Sequence, residues 1–243
     1  MQEQRDNSPL ITIITVVYNA VQTLENTIKS VLDQSYLNIQ YIIVDGASTD
    51  GTHLILDKYR DKLAKVISEQ DSGIYDAMNK GLTHATGDWV YFLGADDILA
   101  TTDVIQEAVS RFQNPAKIYY GDTFLKNSNR VYQGEVNARK FFLCNISHQA
   151  IFYPQTVYRS NRYDLKYKYF ADHIHNLEIY AADKNTYEYI PVLVSIYNDL
   201  GRSSTSIDHQ YNKDIVSFIF RKFGVTAGAY VWTRRMISSL KNI

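Results

Sequence analysis

The sequence predicts an α/β fold built on a mostly parallel sheet that is flanked by helices. Between residues 10 and 112, short apolar runs rich in β-branched residues alternate with segments whose apolar residues recur at helical spacing. The runs are apolar at successive positions, which is typical of strands that a parallel sheet buries on both faces. Alternation of this kind produces a parallel sheet with helices on both faces.

Two strand–helix units make up the first part of this pattern. Residues 10–17 predict a buried strand, and a helix with apolar residues at 24, 28, 31 and 32 follows it. Residues 39–44 predict the second strand, which ends at Asp45. The segment 48–52 (STDGT) supplies turn and helix-capping side chains before a helix that extends to about residue 62.

Two further strands continue the alternation. Residues 65–68 predict a short third strand, and residues 88–93 predict a fourth, which is closed by Asp96 and Asp97. A helix with apolar residues between 104 and 112 follows the fourth strand. The helix between these two strands has one apolar face, made of Ile74, Ala77, Met78, Gly81 and Leu82.

The pattern becomes looser after residue 117, where strands and helices no longer alternate regularly. The predicted elements are strands at 118–124, 131–134 and 149–153, a helix from Asp172 to about 182, a strand at 186–197 interrupted by Pro191, and amphipathic helices at 215–223 and 230–240 around a break at 224–228. This part predicts a smaller second region and C-terminal helices attached to the parallel sheet.

Composition excludes several classes of protein. With 25 basic and 26 acidic residues the net charge is −1, so the overall charge does not argue for a nucleic-acid partner. The single cysteine, Cys144, excludes an internal disulfide and a CxxC zinc site. The N-terminus lacks a signal-peptide pattern and no apolar run is long enough to span a bilayer. We therefore expect a soluble, cytoplasmic protein, or one bound peripherally to the inner face of a membrane.

Polar side chains follow the predicted strands at the point where each strand ends, namely at Tyr18, Asn19, Asp45, Asp96 and Asp97. Ligands of open α/β sheets bind at this carboxyl edge. Two adjacent carboxylates repel each other unless a cation or hydrogen-bond donors compensate, and Mg²⁺ or Mn²⁺ is the natural partner. The alternative is that Asp97 caps the next helix and Asp96 is a turn residue.

Four segments in this order resemble a known family. They are residues 15–19 (TVVYN), 44–52 (VDGASTDGT), 71–81 (DSGIYDAMNKG) and 93–97 (LGADD). Together they resemble the family 2 glycosyltransferases of the GT-A fold, near the colanic-acid type of bacterial polysaccharide transferases. The resemblance implies a GT-A domain at 1–205, with a nucleotide-sugar half at 1–115 and an acceptor half at 116–205, followed by a C-terminal amphipathic extension at 206–243.

The resemblance also implies a reaction. It would be an inverting, metal-dependent transfer of a sugar from a nucleoside diphosphate sugar to a hydroxyl of a surface glycan or lipid-linked acceptor. A UDP-sugar is favoured over a GDP- or dTDP-sugar, and Mg²⁺ or Mn²⁺ is the only cofactor. A nucleotidyltransferase and a non-catalytic nucleotide-sugar-binding protein are the alternatives. The former usually has a Gly-rich basic loop after the first strand, where this chain has Tyr18-Asn19-Ala20-Val21.

By the same resemblance, the donor would be bound by Thr15, Tyr18, Asp45, Asp71, Asp76, Lys80 and Asp96. Asp96 and Asp97 match the metal-binding acidic motif of the family. Gly94 stands where the family often has its first aspartate. Which of the two carboxylates binds the metal directly is therefore left open.

The segment 170–177 (FADHIHNL) matches the family's base motif, so Asp172 is the expected general base for the acceptor hydroxyl. The alternative role for Asp172 is an N-cap. His148 and Arg202 are expected on the acceptor or diphosphate side, with a core histidine and a surface arginine as the alternatives.

The C-terminal segment is basic and aromatic. Lys213, Arg221, Lys222, Arg234, Arg235 and Lys241 stand against Asp214 alone, interleaved with Phe, Tyr and Trp. Such a segment can lie on an anionic membrane surface. A helix packed back onto the domain is the equal alternative.

Overall fold

A computed structural model of the chain describes residues 8–132, 134–201 and 206–241, with the side chains of 239–241 left aside. In these residues nine strands join one sheet. They are β1 (Ile11–Val17), β2 (Ile39–Asp45), β3 (Lys65–Ser68), β4 (Trp89–Gly94), β5 (Ile98–Leu99), β6 (Ile118–Leu125), β7 (Arg130–Tyr132), β8 (Ile151–Pro154) and β9 (Tyr187–Tyr197).

The strand order across the sheet is β3-β2-β1-β4-β8-β6-β9-β5, with β7 beside β6. The strands β3, β2, β1 and β4 run parallel. Strand β8 is antiparallel to both β4 and β6, and β9 runs parallel to β6. Consequently β1, β2, β4 and β9 all end at the same edge, and the α/β prediction is confirmed.

Helices cover both faces of the sheet. They are α1 (Leu24–Leu32), α2 (Thr52–Tyr59), α3 (Ile74–Leu82), α4 (Val104–Val109), α5 (Ala138–Leu143), α6 (Gln155–Tyr158), α7 (Ala171–Ala182), α8 (His209–Phe223) and α9 (Val225–Lys241). Successive residues of β1 serve opposite cores. Ile13 packs into the core under α1 and α4, and Ile14 packs into the core under α3 and α7. This explains why β1 is apolar at nearly every position.

The face of α3 differs from the prediction at one residue. Met78 and Leu82 are buried as expected, whereas Ile74 is exposed. Ile74 is the first residue of the helix and lies at the mouth of a pocket.

Strand β9 is continuous through Pro191, which was predicted to interrupt it. The register against β6 shifts between Tyr120 and Asp122, so that a single residue of β6 faces three residues of β9 at this point. Such a bulge leaves residues without a ladder partner, and proline lacks the N–H that a regular ladder needs. The irregular pairing therefore accommodates Pro191 inside the strand.

The predicted break at 224–228 is wrong, because it is confined to Gly224. This glycine has φ +87° and α9 begins at the next residue. Gly228 lies inside α9, where a Cβ atom would be 2.2 Å from the ring of Phe220 on α8. Gly228 thus permits close packing of the two helices. Ile219 and Val231 are buried in the same core as α7, so both helices pack back onto the domain.

Within the described residues, no helix combines the length and the apolar character needed to cross a membrane.

Acid is expected to destabilise the fold through His175 of α7. Burial lowers the pKa of His175 from 6.5 to about 4. Because the folded pKa lies below the unfolded one, the unfolded state binds more protons in this window. The contribution to stability is therefore full above pH 6.5 and is lost as the pH falls towards 4. Between pH 7 and pH 5 the loss amounts to about 2 kcal/mol.

Urea unfolding of the wild type and of His175→Phe at pH 7 and pH 5 measures this effect. Phenylalanine preserves an aromatic ring against Tyr163, whose centroid lies 4.7 Å from that of the imidazole, but it binds no proton. Between pH 7 and pH 5 we expect the free energy of unfolding to fall by less in the variant than in the wild type. Equal losses in both proteins would contradict the assignment to His175.

Candidate active site

One cleft runs along the sheet edge where β1, β4 and β9 end, and it contains three adjoining pockets. The strand-end pocket is bordered by residues 18–23, 95–97 and 197–201. The loop pocket is bordered by residues 71–77 and 165–169, and the Asp172 pocket by residues 128–132, 145–149 and 169–172.

The three pockets share side chains and therefore adjoin one another. Tyr18 borders the strand-end and loop pockets, Tyr75 borders the loop and Asp172 pockets, and Gln149 borders the strand-end and Asp172 pockets.

The loops after β1 and β2 are tied to each other. Asn19 and Ala47 both adopt left-handed backbone conformations, with φ of 52° and 61°. The side-chain oxygen of Asn19 accepts a hydrogen bond from the backbone amide of Thr49 at 2.8 Å. The backbone amide of Asn19 donates to the Ser48 hydroxyl at 2.8 Å. Strained backbone at adjacent strand ends is typical of functional edges, because surrounding contacts must hold it.

Three of the residues expected to bind the donor differ in their access to this cleft. Tyr18 has 51% of its surface exposed and borders the cleft directly. Asp45 is buried and accepts hydrogen bonds from the Ser48 amide at 3.1 Å and the Ser68 hydroxyl at 2.6 Å. Thr15 is fully buried and its hydroxyl pairs with Tyr41 at 3.0 Å. Asp45 and Thr15 therefore lie behind the cleft, where they organise its wall.

Asp71 and Asp76 shape the loop pocket. The carboxylate of Asp71 accepts from the Gly73 amide at 2.9 Å, and that of Asp76 accepts from the Ser72 amide at 2.9 Å. A Cβ atom on Gly46 would lie 2.4 Å from Asp71 Oδ2, so the glycine allows this carboxylate to lie across the end of β2. Both aspartates border the loop pocket, as expected for residues near a ligand.

Lys80 is paired with carboxylates of the same loop region. Its Nζ atom lies 2.9 Å from Glu69 Oε1 and 3.7 Å from Asp76 Oδ2. The hydrogen bond to Glu69 is the main cause that raises the pKa of Lys80. The charge of Lys80 is thus balanced within the protein. Through Glu69 and Asp76 it contacts both ends of the loop between β3 and α3.

Asp96 and Asp97 are adjacent but lie in different environments. Asp96 is exposed in the strand-end pocket, and its Oδ2 accepts from the Asn198 side chain at 3.0 Å. Asp97 is 1% exposed. Its Oδ1 accepts from the Asn198 amide at 2.8 Å and its Oδ2 from the Gln149 side chain at 2.9 Å. Burial, with the charge of Asp96, raises the pKa of Asp97 to about 7.

These contacts give the two carboxylates different roles. Both oxygens of Asp97 are used to hold β9 and the turn at Gln149 in place. Asp96 is the exposed one of the two, and both aspartates border the strand-end pocket.

Gly94 is required by the position of Asp97. A Cβ atom at residue 94 would lie 2.4 Å from Asp97 Oδ2, although the backbone there does not need positive φ. A side chain at 94 and the observed position of Asp97 are therefore incompatible. This explains why Gly94 stands in place of the aspartate that the resembling family often carries.

Gly94→Ala is expected to lower the free energy of unfolding by about 1–3 kcal/mol, because it overpacks a buried site. In an Asp97→Ala background the same change should cost clearly less, since the colliding oxygen is absent. Urea unfolding of the four proteins gives the coupling between the two positions. Equal costs of Gly94→Ala in both backgrounds would rule out this explanation of the glycine.

Asp172 is the second residue of α7 and is almost completely buried. Its Oδ1 accepts from the Tyr75 hydroxyl at 2.8 Å, and its Oδ2 lies 3.3 Å from His148 Nδ1. Burial alone would raise the pKa of Asp172. The contacts with His148 and Tyr75 outweigh burial, and the pKa of Asp172 lies below its ordinary value. The N-cap position of α7 is occupied by Phe170, so Asp172 is not the N-cap. Its ionised carboxylate faces the Asp172 pocket.

A single turn, His148–Ala150, contacts both acidic centres. His148 approaches Asp172, while the neighbouring Gln149 donates to Asp97. His148 therefore lies on the Asp172 side of the cleft.

Arg202 lies outside the described residues. His173 of α7 is a core histidine bonded to Tyr211 and to the carbonyl of Phe141, and it takes no part in the cleft.

Sequence reasoning missed Tyr75 and Asn198. Asn198 directly follows the predicted strand 186–197, so the strand-end pattern that identified Tyr18 and Asp96 also applied to it. Tyr75 carried no such signal, because its contact with Asp172 spans 97 residues of sequence.

Comparison with known proteins identifies the family. The model of Glycosyl transferase family 2 matches residues 12–174. The PGL/p-HBAD biosynthesis glycosyltransferase of Mycobacterium bovis is 32% identical over 214 residues, which are 85% of this chain and 84% of that protein.

Two solved structures share the fold. S. aureus TarS 1-349 in complex with UDP-GlcNAc has a TM-score of 0.74 at 17% identity, over 91% of this chain and 70% of that one. The mannosyltransferase PcManGT from Pyrobaculum calidifontis in complex with GDP-Man and Mn²⁺ has a TM-score of 0.67 at 18% identity. The match covers 93% of this chain and 70% of that one. The GT-A architecture is thereby confirmed, and the chain belongs to the family 2 glycosyltransferases.

Proposed function

We propose that this glycosyltransferase moves a sugar, with inversion, from a nucleoside diphosphate sugar to a hydroxyl of a surface glycan or lipid-linked acceptor. The observation that carries the proposal is a row of three adjoining pockets with two acidic centres. Asp96 lies exposed at one end, Asp172 lies ionised at the other, and the turn His148–Ala150 joins them. A displacement of this kind needs a charged leaving group on one side and a proton acceptor on the other.

In this proposal the donor occupies the strand-end and loop pockets. Tyr18, Asp71 and Asp76 border these pockets, and Asp45, Thr15 and Lys80 support them from behind. TarS is complexed with UDP-GlcNAc and PcManGT with GDP-Man, so the donor class proposed here is a nucleoside diphosphate sugar. A UDP-sugar is preferred to a GDP- or dTDP-sugar.

The residues of the strand-end pocket fit Mg²⁺ or Mn²⁺ shared with a diphosphate. No group of three or more His, Cys, Asp or Glu side chains is clustered for metal binding within the described residues. Asp96, however, offers an exposed carboxylate, and Mg²⁺ is commonly held by one or two carboxylates plus substrate phosphates. Such an ion would neutralise the leaving diphosphate. Asp96 would hold it, while Asp97 fixes Asn198 and Gln149 around it.

Asp172 acts on the acceptor. Its carboxylate takes the proton of the attacking hydroxyl as that oxygen bonds to C1 of the sugar and the bond from C1 to the diphosphate oxygen breaks. Tyr75 and His148 hold the carboxylate and keep it ionised. Attack from the side opposite the diphosphate inverts the configuration at C1.

We also propose that residues 1–115 form the donor half, 116–205 the acceptor half and 206–243 a C-terminal extension. The loop pocket draws residues 16–18 and 71–77 from the first half, and the Asp172 pocket draws most of its lining from the second. Arg202 on the diphosphate side and the cytoplasmic location stay predictions.

A panel of UDP-, GDP- and dTDP-sugars, each with and without Mn²⁺, tests the proposal by thermal shift and by donor hydrolysis. A bound ligand raises the stability of the native state. We expect one donor class to raise Tm and to be hydrolysed in an Mn²⁺- or Mg²⁺-dependent manner. No shift and no turnover with any donor, or turnover only of nucleoside triphosphates, would contradict it.

A further inference from the structure

Helix α9 exposes an apolar stripe on the face that points away from the core. Val225, Ala229, Trp232 and Met236 are spaced i, i+4, i+7 and i+11, which aligns them along one side of a helix. Val225 is 75% exposed, Trp232 53% and Met236 47%. Val231 lies on another side of α9 and is buried in the core, and Gly228 packs against Phe220 of α8.

An exposed stripe of this kind requires an explanation. Isolated apolar residues on a surface are ordinary, but a continuous row along a helix marks an interaction site. Ile237 and Phe220 are also exposed in the same helix pair, so the apolar surface extends beyond the stripe. We call the stripe together with Phe220 and Ile237 the C-terminal surface.

The charge around the C-terminal surface has one sign. Residues 215–243 contain five basic residues, Arg221, Lys222, Arg234, Arg235 and Lys241, and no acidic residue. Arg221, Lys222 and Arg234 are exposed, and no ion pair involves them within the described part of the chain. Arg221 and Lys222 directly follow Phe220, whereas Arg234 lies nine residues after Val225 and so on another side of α9 from the stripe. A partner that covers Phe220 together with the stripe therefore meets positive charge at the end of α8.

Two occupants can cover an apolar helix face, and the charges distinguish them. A second copy of the chain, docked stripe against stripe, would bring the basic residues of both copies together with no acidic residue from 215–243 between them. An anionic lipid surface offers acyl chains to Trp232 and Met236 and negative headgroups to the basic residues. Tryptophan is also suited to the interface between headgroups and acyl chains.

We propose that the C-terminal surface binds peripherally to a membrane that contains anionic lipid, with α9 lying in the plane of the interface. This binding is independent of the sugar-transfer chemistry. It does require that the protein meets such a membrane with the side of the domain that carries α8 and α9.

The orientation has a consequence for the cleft that rests on the proposed function. Helix α8 begins beside the cleft, because Asp208 at its N-cap accepts from the amides of Tyr169 at 2.9 Å and Tyr211 at 3.0 Å. Tyr169 borders both the loop and the Asp172 pockets. A membrane-bound α8–α9 pair would thus hold the acceptor pocket at a fixed position relative to the bilayer, as a lipid-linked acceptor needs.

Vesicle flotation tests the proposal with the full chain and without any nucleotide sugar. One set of vesicles is pure phosphatidylcholine and the other contains phosphatidylcholine and phosphatidylglycerol in equal amounts. We expect binding to the phosphatidylglycerol vesicles, little binding to pure phosphatidylcholine, and weaker binding as salt is raised. Absence of binding to both, or equal binding to both, would overturn the proposal.

Two variants locate the binding surface. Trp232→Ser with Met236→Ser removes apolar area, and Arg221→Glu with Lys222→Glu and Arg234→Glu reverses charge. We expect the second set to lower partitioning into phosphatidylglycerol vesicles on the order of 100-fold or more. Leu54→Ser and Lys62→Glu are matched controls on exposed residues elsewhere, and they should bind as the wild type does.

Circular dichroism melting shows whether each variant is folded, and size-exclusion chromatography shows its oligomeric state. Unchanged vesicle binding by both folded variants would overturn the proposal. So would a dimer that Trp232→Ser with Met236→Ser dissociates, since the surface would then belong to a second copy. Thermal shift by nucleotide sugars is measured on the same proteins. A failure of the proposed function is therefore seen separately from a failure of membrane binding.

Discussion

Sugar transfer by the Asp172→Asn variant is expected to fall about 10²–10⁴-fold, which is the usual contribution of a positioned general base. Asparagine has the shape of aspartate and its oxygen can still accept from Tyr75, but the amide takes no proton from an attacking hydroxyl. The donor side should be unaffected, because Asp96 and the loop pocket are unchanged. Initial rates of transfer and, separately, the Kd for the donor measure these two effects.

The control for this variant is Tyr75→Phe, which removes a hydrogen-bond donor to Asp172 and leaves the carboxylate itself unchanged. It removes the hydrogen bond of 2.8 Å to Asp172 but keeps the ring beside Tyr163, 5.2 Å away. Since a hydrogen bond to a charged group is worth about 1.5–3 kcal/mol, we expect a loss of about 10- to 150-fold, in kcat rather than in donor affinity. A wild-type rate for Asp172→Asn would mean that another group accepts the proton.

Most of the fold could be predicted from the sequence because the first half depends on local patterns. The runs that became β1, β2 and β4 are apolar at successive positions, and only burial on both faces of a sheet explains this. The second half resisted prediction because its elements depend on distant partners. Pro191 lies inside β9 where the pairing with β6 is irregular, and Gly228 lies inside α9 where its missing side chain leaves room for the Phe220 ring.

In the candidate site, too, some features follow from local sequence patterns and others depend on contacts between distant residues. The positions of Tyr18, Asp96 and Asp172 followed from strand ends and a motif. The roles of individual carboxylates did not, because contacts made by residues far away in sequence decide them. Asp97 is bound by Asn198, 101 residues later, and Asp172 by Tyr75, 97 residues earlier. Lys80 is paired with Glu69, which precedes it by eleven residues and lies directly after β3, and no motif predicts that pair.

The assignment of Asp96 to the metal and of Asp97 to the scaffold leads to opposite expectations for two neighbouring substitutions. Asp96→Asn should lower Mn²⁺-dependent donor affinity and hydrolysis on the order of 100-fold or more, since it removes the exposed charge that a divalent ion needs. Its free energy of unfolding should stay near that of the wild type, because this side chain is exposed and makes one hydrogen bond to Asn198.

Asp97→Asn should behave in the reverse way. Both oxygens of Asp97 accept hydrogen bonds, so an amide nitrogen in place of one of them would face the donor of Gln149 or of Asn198. A buried donor left without an acceptor costs about 1–3 kcal/mol, and the variant should lose that much stability. The Mn²⁺ concentration giving half-maximal donor hydrolysis should change far less than in Asp96→Asn. Measuring both quantities for both variants decides the assignment: if Asp97→Asn lost Mn²⁺ dependence at unchanged stability, the buried carboxylate would be the ligand, and the contacts with Gln149 and Asn198 would have to open when the ion binds.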